Sequence, residues 1–174
     1  PLLQCLAVSD RQSKAPRALV LTPTRELALQ VAESVREYGR YLSLRSTVIF
    51  GGVSINPQID SLARGTDIII ATPGRLLDHC QQRTIDLSHI EVLVLDEADR
   101  MLDMGFINDI RKVIRLLPNK RQNLMFSATY SDDIRKLAHG VLKSPVEVDV
   151  APRNVTVESV EQSIYLVPKD TKRA

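Results

Sequence analysis

The sequence has little of what several common classes of function require. It contains four Tyr, three Phe and no Trp, and only two cysteines, Cys5 and Cys80. Two cysteines without a CxxC spacing favour free thiols in a reducing compartment over a disulfide framework or a zinc site. So few aromatic residues exclude an extensive base-stacking platform. No apolar run approaches the roughly 20 residues of a membrane-spanning helix, which predicts a soluble cytoplasmic protein without a membrane partner.

An excess of charge of one sign is also lacking. The chain has 23 Lys and Arg against 21 Asp and Glu, a net charge of +2, so no global field indicates a nucleic-acid partner. His79, His89 and His139 lie far apart without metal-ligand spacing, which favours surface or structural roles. No GxSxG elbow is present for a nucleophilic serine. Cys80 falls in an apolar helical stripe and is predicted to belong to the core.

Short apolar runs alternate with amphipathic segments from one end of the chain to the other. Most of the runs lack polar alternation, which is typical of strands that are buried on both faces of a parallel sheet. The predicted strands are 18–21, 47–50, 68–71, 92–95, 123–126 and 146–150.

The segments between the runs carry apolar residues at spacings of three and four, which places them on one face of a helix. Strands that alternate with helices imply βαβ units with right-handed crossovers. The sequence therefore predicts an α/β domain of three layers, with a mostly parallel sheet flanked by helices, but it leaves the strand order open. The stripes are Leu27, Val31, Val35, Tyr38 and Leu42; Ile55, Ile59 and Leu62; Phe106, Ile110, Val113 and Leu117; and Ile134, Leu137 and Val141.

The predicted domain covers residues 1–150. Residues 151–159 are polar and have no helical stripe, so they are interpreted as a linker. Residues 160–167 fit one more strand, the first element of a further domain.

The residues that follow the apolar runs are small, hydroxylated or charged. Ligands of open α/β sheets bind beyond the carboxyl ends of the strands, so these positions are the candidates for a functional site. Their clustering at five strand ends is a stronger indication than any single motif. They are residues 22–25, 51–52, 72–75, 96–99 and 127–129.

Two adjacent acids, Asp96 and Glu97, follow the most hydrophobic run. Because Mg²⁺ prefers one or two carboxylates, several waters and the phosphates of a substrate, an acid here would suit the hydration shell of that ion. The neighbouring Glu97 would then be placed to orient or deprotonate an attacking water. The alternative is that both acids only cap the next helix, where negative charge is favoured. The residues alone leave both interpretations open.

Two segments, Thr24 with Arg25 and residues 72–75, open predicted helices. Helix N-termini bind phosphate through free N–H groups, and Thr and Arg side chains add charge-assisted bonds. Ordinary N-capping, with Pro in the first turn, accounts for either segment taken alone.

Two further pairs allow a functional and a local interpretation. Gly51 and Gly52 either let a phosphate backbone approach closely or form a turn. Ser127 and Thr129 either bond to a carboxylate at a neighbouring strand end or satisfy local backbone groups.

Five motifs occur along the chain in a fixed order: Pro-Thr-Arg-Glu-Leu-Ala from residue 23, Gly-Gly from 51, Thr-Pro-Gly-Arg from 72, Asp-Glu-Ala-Asp from 96 and Ser-Ala-Thr from 127. This order and spacing resembles that of the DEAD-box ATP-dependent RNA helicases. The resemblance spans residues 1 to about 167, and residues 96–106 also resemble the usual continuation in that family. Within the family, the sequence is most similar in character to bacterial RhlE-like members.

The resemblance implies the first RecA-like domain of a two-domain RNA helicase that uses ATP and Mg²⁺. It implies that Asp96 holds Mg²⁺ through water and that Glu97 acts on the hydrolytic water. It also implies that Asp99 bonds to Ser127 and Thr129 and so links the nucleotide state to domain closure. The implied track for one RNA strand, contacted mostly at phosphate and sugar and largely without sequence preference, consists of Pro23, Thr24, Arg25, Gly51, Gly52, Thr72, Pro73, Gly74 and Arg75.

One family feature, the phosphate loop of GxxxxGK[ST] type, is not found, because none of the seven glycines is followed by Lys. The resemblance therefore predicts a chain truncated before residue 1 and after the interdomain linker, with residues 151–174 as the linker and the start of a second RecA-like domain. The parent protein is predicted to be an ATP-dependent RNA helicase, and this part alone to hydrolyse little or no ATP. The alternatives are a non-catalytic RecA-like module that binds RNA or protein, and a DNA helicase of the same superfamily.

Overall fold

The computed structural model describes residues 1–8 and 14–150. The chain divides into two units, Pro1–Lys143 and Ser144–Ala174. All helices and strands of the described residues lie in the first unit. They are α1 (Leu2–Val8), β1 (Ala18–Leu21), α2 (Arg25–Tyr38), β2 (Ser46–Ile49), α3 (Asn56–Ala63), β3 (Ile68–Ala71), α4 (Pro73–Gln81), β4 (Val92–Leu95), α5 (Ala98–Asp103), α6 (Ile107–Leu116), β5 (Gln122–Met125) and α7 (Asp132–Val141).

The five strands form one sheet in the order β2-β3-β1-β4-β5. Every pairing is parallel, and β1 lies in the same register against both neighbours: Leu21 is opposite Ala71 of β3 and Leu95 of β4. The predicted parallel sheet is confirmed. Because the strands end level with one another, the segments that follow them emerge along one edge of the sheet.

Residues of each strand alternate between two apolar clusters, one on each face of the sheet. Leu19 and Leu93 pack with residues of α3 to α7 on one face, whereas Val20 and Ile70 pack with residues of α1 and α2 on the other. All residues of β1 and β3 are buried. The predicted three layers, with the sheet between two layers of helices, are therefore confirmed.

The two helices that follow β1 and β3 begin at residues typical of helix starts. The Thr24 hydroxyl accepts a hydrogen bond from the Leu27 N–H at the start of α2, and α4 begins at Pro73. The predicted stripe of α2 is too long by one member, because the helix ends at Tyr38 with Gly39 as its C-cap and Leu42 lies beyond it. None of the helices in the described residues combines the length and the hydropathy needed to cross a bilayer.

The prediction of a sixth strand at 146–150 is wrong, since these residues form no regular secondary structure. Strand formation requires partners for the backbone N–H and C=O groups, and none of the strand pairings in the described residues includes this segment. Its valines, Val146, Val148 and Val150, are 78–91% exposed. The alternation of valine with acidic residues favours a strand, but no strand in the described residues pairs with this segment. The predicted linker at 151–159 and the predicted strand at 160–167 lie outside the described residues.

Candidate functional site at the carboxyl ends of the strands

The strand order sorts the candidate residues into two adjacent groups along the sheet edge. Residues 51–52, 72–75 and 22–25 follow β2, β3 and β1, which are neighbours, whereas residues 96–99 and 127–129 follow β4 and β5. Parallel pairing continues one residue beyond each strand: Thr72 donates to the Ile49 carbonyl, Thr22 to Ala71 and Asp96 to Leu21, at 2.9–3.0 Å. These bonds hold the strand ends level.

The group on β2, β3 and β1 presents two helix N-termini and one glycine loop. The cap residues Thr24 and Thr72 both have extended backbone conformations, and the first N–H groups of a helix have no partner within the helix. The Arg25 guanidinium lies 4.7 Å from the centre of the Phe50 ring, which places this exposed cation beside the loop that follows β2. Positive charge and free N–H groups together suit a phosphate backbone.

The glycines of this group leave open space where a side chain would be. A Cβ built on Gly51, Gly52 or Gly74 would have no heavy atom within 4 Å. Gly52 has a φ of +77°, a backbone conformation that glycine adopts more readily than other residues. Gly51 and Gly74 have no such internal reason, so the space above them is available for close approach by a partner.

Of the residues expected to line the track, Pro23 and Pro73 are buried and Arg75 is mostly covered. Pro23 and Pro73 are buried at the starts of their segments. The Arg75 side chain is only 12% exposed, with its Nε 3.5 Å from the Asp78 carboxylate, and its Nη2 donates to the Val53 carbonyl at 2.9 Å. Little of these three side chains is exposed, so they pack below the surface and form only a small part of it.

Asp96 is half-buried at the end of β4. Its Oδ1 accepts a hydrogen bond from the Glu97 N–H at 3.1 Å. Burial raises the pKa of Asp96 above its ordinary value, and the neighbouring charge of Glu97 adds to this, although the bond from the Glu97 N–H opposes it. No cluster of three or more His, Cys, Asp or Glu residues forms in the parts of the chain that the structure describes. A Mg²⁺ ion held here would therefore take most of its ligands from water and substrate, as that ion usually does.

Glu97 has a left-handed backbone, with φ 49° and ψ 55°, immediately before α5. A non-glycine residue in this region costs about 1–3 kcal/mol, and such strain concentrates at functional sites. Its side chain is 40% exposed and forms an ion pair with Arg100, with Oε2 3.0 Å from Nη1. The Glu97 side chain makes no capping hydrogen bond to α5, so any contribution it makes to the start of that helix is electrostatic.

Asp99 joins α5 to the segment after β5. Its Oδ2 accepts hydrogen bonds from the N–H and the hydroxyl of Thr129, at 2.9 and 3.0 Å. The Ser127 hydroxyl donates to the Thr129 carbonyl at 2.7 Å. Burial alone would raise the pKa of Asp99, but hydrogen bonds from Thr129, the Arg100 N–H and Ser127 outweigh it and lower the pKa below its ordinary value. The expected bond between Asp99 and Thr129 is present, whereas the Ser127 hydroxyl, expected to bond Asp99 as well, has the Thr129 carbonyl as its acceptor and only adds to the lowering of the Asp99 pKa.

The strand-end segments lie in a part of the chain that matches a known protein family. A model of the DEAD/DEAH box helicase family matches residues 1–137. The chain belongs to the DEAD/DEAH box helicase family. Both groups of strand-end residues lie within the matched range.

Two relatives show how much of a helicase of this family the chain represents. It is 45% identical to "ATP-dependent RNA helicase RhlB" of Pseudomonas aeruginosa, over 98% of this chain and 44% of that protein. It is 46% identical to "ATP-dependent RNA helicase DeaD" of Mycobacterium tuberculosis, over 94% of this chain and 29% of that protein. The chain thus spans less than half the length of these relatives. Their names do not test the predicted RhlE-like character, which stays a prediction.

Two solved structures share the fold. A hypothetical ATP-dependent RNA helicase from Sulfolobus tokodaii is 39% identical, with a TM-score of 0.73, over 83% of this chain and 40% of that chain. The yeast DEAD-box splicing factor Prp28 is 32% identical, with a TM-score of 0.78, over 82% of this chain and 35% of that chain. The predicted RecA-like domain is confirmed by these helicase structures.

The sequence did not indicate a place in this site for four residues that contact the strand-end segments or lie close to them. Phe50 carries Arg25 on its ring, Arg100 holds Glu97, and the buried side chains of Gln58 and His79 lie beneath the glycine loop. Arg100 lies within residues 96–106, which resemble the family, but nothing in the sequence indicated its contact with Glu97. The other three lie outside the motifs and have no distinctive spacing. The one available signal was a polar residue in an apolar helical stripe, which Gln58 provides beside Ile59 and Leu62.

Proposed function

We propose that this chain is the first RecA-like domain of an ATP-dependent RNA helicase, and that residues 151–174 are the linker and the start of a second RecA-like domain. The observation that carries the proposal is the sorting of strand ends into one group suited to a phosphate backbone and an adjacent acidic group. The names of the relatives support it, and so does their length, which leaves room for a second domain.

Glu97 is the proposed catalytic residue. It lies next to Asp96, its side chain is partly exposed, and a carboxylate in this place can orient the hydrolytic water and take its proton. Asp96 fits a Mg²⁺ site with a water-filled shell, because its Oδ2 accepts no hydrogen bond from the described residues and so remains available to a bound water. Mg²⁺, when bound, neutralises charge on the ATP phosphates. The sequence contains no phosphate loop, so the 174 residues alone are expected to hydrolyse little ATP.

The proposed RNA track runs over the ends of β2, β3 and β1. Its contacts are the N-termini of α2 and α4, the Arg25 guanidinium and the backbone of Gly51 and Gly52. All of these recognise phosphate and sugar, so binding is expected to be largely independent of base sequence. A net charge of +2 adds little long-range attraction.

The test is ATP turnover by the full-length protein with and without nucleic acid. Single-stranded RNA is expected to stimulate turnover, and ATP to drive separation of a short RNA duplex. Stimulation by single-stranded DNA in preference to RNA would assign the protein to the DNA helicases. RNA binding without turnover would support the non-catalytic module instead.

Thr129→Val in the full-length protein tests the proposed coupling role of Asp99, Ser127 and Thr129. The change removes the hydroxyl bond to Asp99 but keeps the backbone bond, and a hydrogen bond to a charged group contributes about 1.5–3 kcal/mol. Duplex separation is expected to fall about tenfold, while RNA-stimulated ATP turnover stays within about threefold. Thr129→Ser, which keeps the hydroxyl, serves as the control. A parallel loss of both activities would show that the bond has no coupling role.

A further inference from the structure

Beneath the glycine loop lies a series of buried polar side chains that none of the motifs contains. The Gln58 amide Nε2 donates to the Phe50 carbonyl at 3.0 Å. The Gln58 Oε1 lies 3.2 Å from Nε2 of His79, and Nδ1 of His79 lies 2.7 Å from the Thr84 hydroxyl. Gln58 is 7% exposed and His79 is fully buried. The series thus connects the end of β2 to α3, α4 and the turn after α4.

The direction of these hydrogen bonds follows from the chemistry of the groups. Since the Gln58 amide nitrogen donates to Phe50, its oxygen accepts, so Nε2 of His79 must carry the proton. Nδ1 of the neutral imidazole then accepts from the Thr84 hydroxyl. Burial lowers the pKa of His79, and the nearby Arg75 charge lowers it further against the opposing effect of Asp78. The imidazole is therefore neutral at pH 7, and the bonds run in one direction from Thr84 to Phe50, an arrangement in which each polarises the next.

The loop depends on such side chains because its own backbone makes few bonds. In the described residues, no backbone–backbone hydrogen bond involves residues 51–54. The loop is instead held on both flanks by side chains: Gln58 bonds the carbonyl of Phe50, and Arg75 bonds the carbonyl of Val53. Arg75 belongs to α4, as does His79. The loop is therefore connected to α4 in two ways, directly through Arg75 and indirectly through Gln58 and His79.

We propose that Gln58 and His79 are positioning residues that fix the Gly51-Gly52 loop relative to the N-terminus of α4, so that both engage the same RNA strand. The inference rests on the proposed function, and it adds two residues that do not touch RNA themselves. Fixing the loop before RNA arrives reduces the entropy lost on binding, and this reduction appears as affinity.

Gln58→Met in the full-length protein tests the proposal. Methionine keeps the length and apolar volume of the side chain but removes both hydrogen bonds. The RNA concentration that gives half-maximal ATP turnover, measured with a single-stranded RNA 20-mer, is expected to rise about five- to tenfold. The kcat at saturating RNA is expected to stay within about twofold, because the loop is distant from Glu97 in the strand order. Gln81→Met, an exposed change on α4, is the matched control and should alter neither value.

Two further measurements separate positioning from general stability. Peptides covering residues 50–55 should exchange amide hydrogen faster in Gln58→Met than in wild type without RNA, while β1 and β3 stay protected. His79→Leu should add little to Gln58→Met in RNA affinity, because both interrupt one series. If Gln58→Met does not fold, Thr84→Val removes the bond to Nδ1 of His79 at which the series starts, and also the contact of the hydroxyl with the His79 carbonyl. It should raise the half-maximal RNA concentration at least twofold.

The outcomes distinguish this inference from the proposed function. A folded Gln58→Met with unchanged half-maximal RNA concentration would overturn the positioning role alone. A wild-type protein that neither binds RNA nor responds to it would overturn the proposed function, and this inference with it.

Discussion

Glu97→Gln is expected to lower the kcat of RNA-stimulated ATP hydrolysis about 10²–10⁴-fold, the range for loss of a general base. Glutamine has the same shape but cannot accept the proton of the attacking water. Glu97 has a left-handed backbone conformation between β4 and α5, and its side chain is 40% exposed. RNA affinity and ATP affinity should stay close to wild type, because the change removes a proton acceptor and no binding contact.

A matched change elsewhere shows whether the loss belongs to the site. Glu37, an exposed glutamate of α2, is the control, and Glu37→Gln should leave kcat within experimental error. If Glu97→Gln retained more than a tenth of the wild-type kcat, the general base would have to be another residue. A loss of RNA affinity equal to the loss of kcat would instead indicate disruption of the loop after β4.

Gly51→Ala and Gly74→Ala are each expected to raise the half-maximal RNA concentration about 10–100-fold. An added methyl group meets no protein atom within 4 Å at either position, but it occupies the space into which a phosphate would come. Losing one or two charge-assisted bonds to a phosphate costs about 1.5–3 kcal/mol each. Stability should not fall, because alanine restricts the unfolded chain more than glycine does and fits a backbone without positive φ.

Gly140→Ala supplies the control for this pair. Gly140 is an exposed glycine in α7, and a Cβ there also meets nothing within 4 Å. All three variants should melt at or above the wild-type temperature, but only Gly51→Ala and Gly74→Ala should lose RNA affinity. Unchanged RNA affinity in both would place the RNA track elsewhere on the domain.

Together these variants test whether the two groups of strand ends are separate in function. Glu97→Gln should change kcat without changing the RNA requirement, whereas the glycine variants should do the reverse. The two groups meet at β1 and β4, which are hydrogen-bonded neighbours. We therefore expect substitutions in the two groups to have separable effects, although both groups lie on the same sheet.

Local patterns predicted the secondary structure where burial was complete. The runs at 18–21 and 68–71 coincide with β1 and β3, every residue of which is buried. The prediction of a strand at 146–150 was wrong because the periodicity of a segment does not show whether a partner strand lies beside it. Cys80 packs against the core as expected, and burial raises its pKa to about 11.

The site was only partly predictable, for reasons that particular residues show. Motif order predicted the contact between Asp99 and Thr129, but it did not predict that Pro23 is buried and Arg75 mostly covered. Whether an arginine points outward or inward depends on what acceptor lies beneath it. For Arg75 that acceptor is the carbonyl of Val53, 22 residues away in the chain.

The sequence by itself determined the family, the alternation of strands and helices, and the residues that end each strand, because these are encoded in short-range spacing. Only the tertiary structure decided the order β2-β3-β1-β4-β5. Buried apolar strands are chemically alike, so their sequences do not specify which of them pair. Packing of the whole domain selects that order. It brings residues 22–25, 51–52 and 72–75 to one half of the edge and residues 96–99 and 127–129 to the other, and it buries Gln58 and His79.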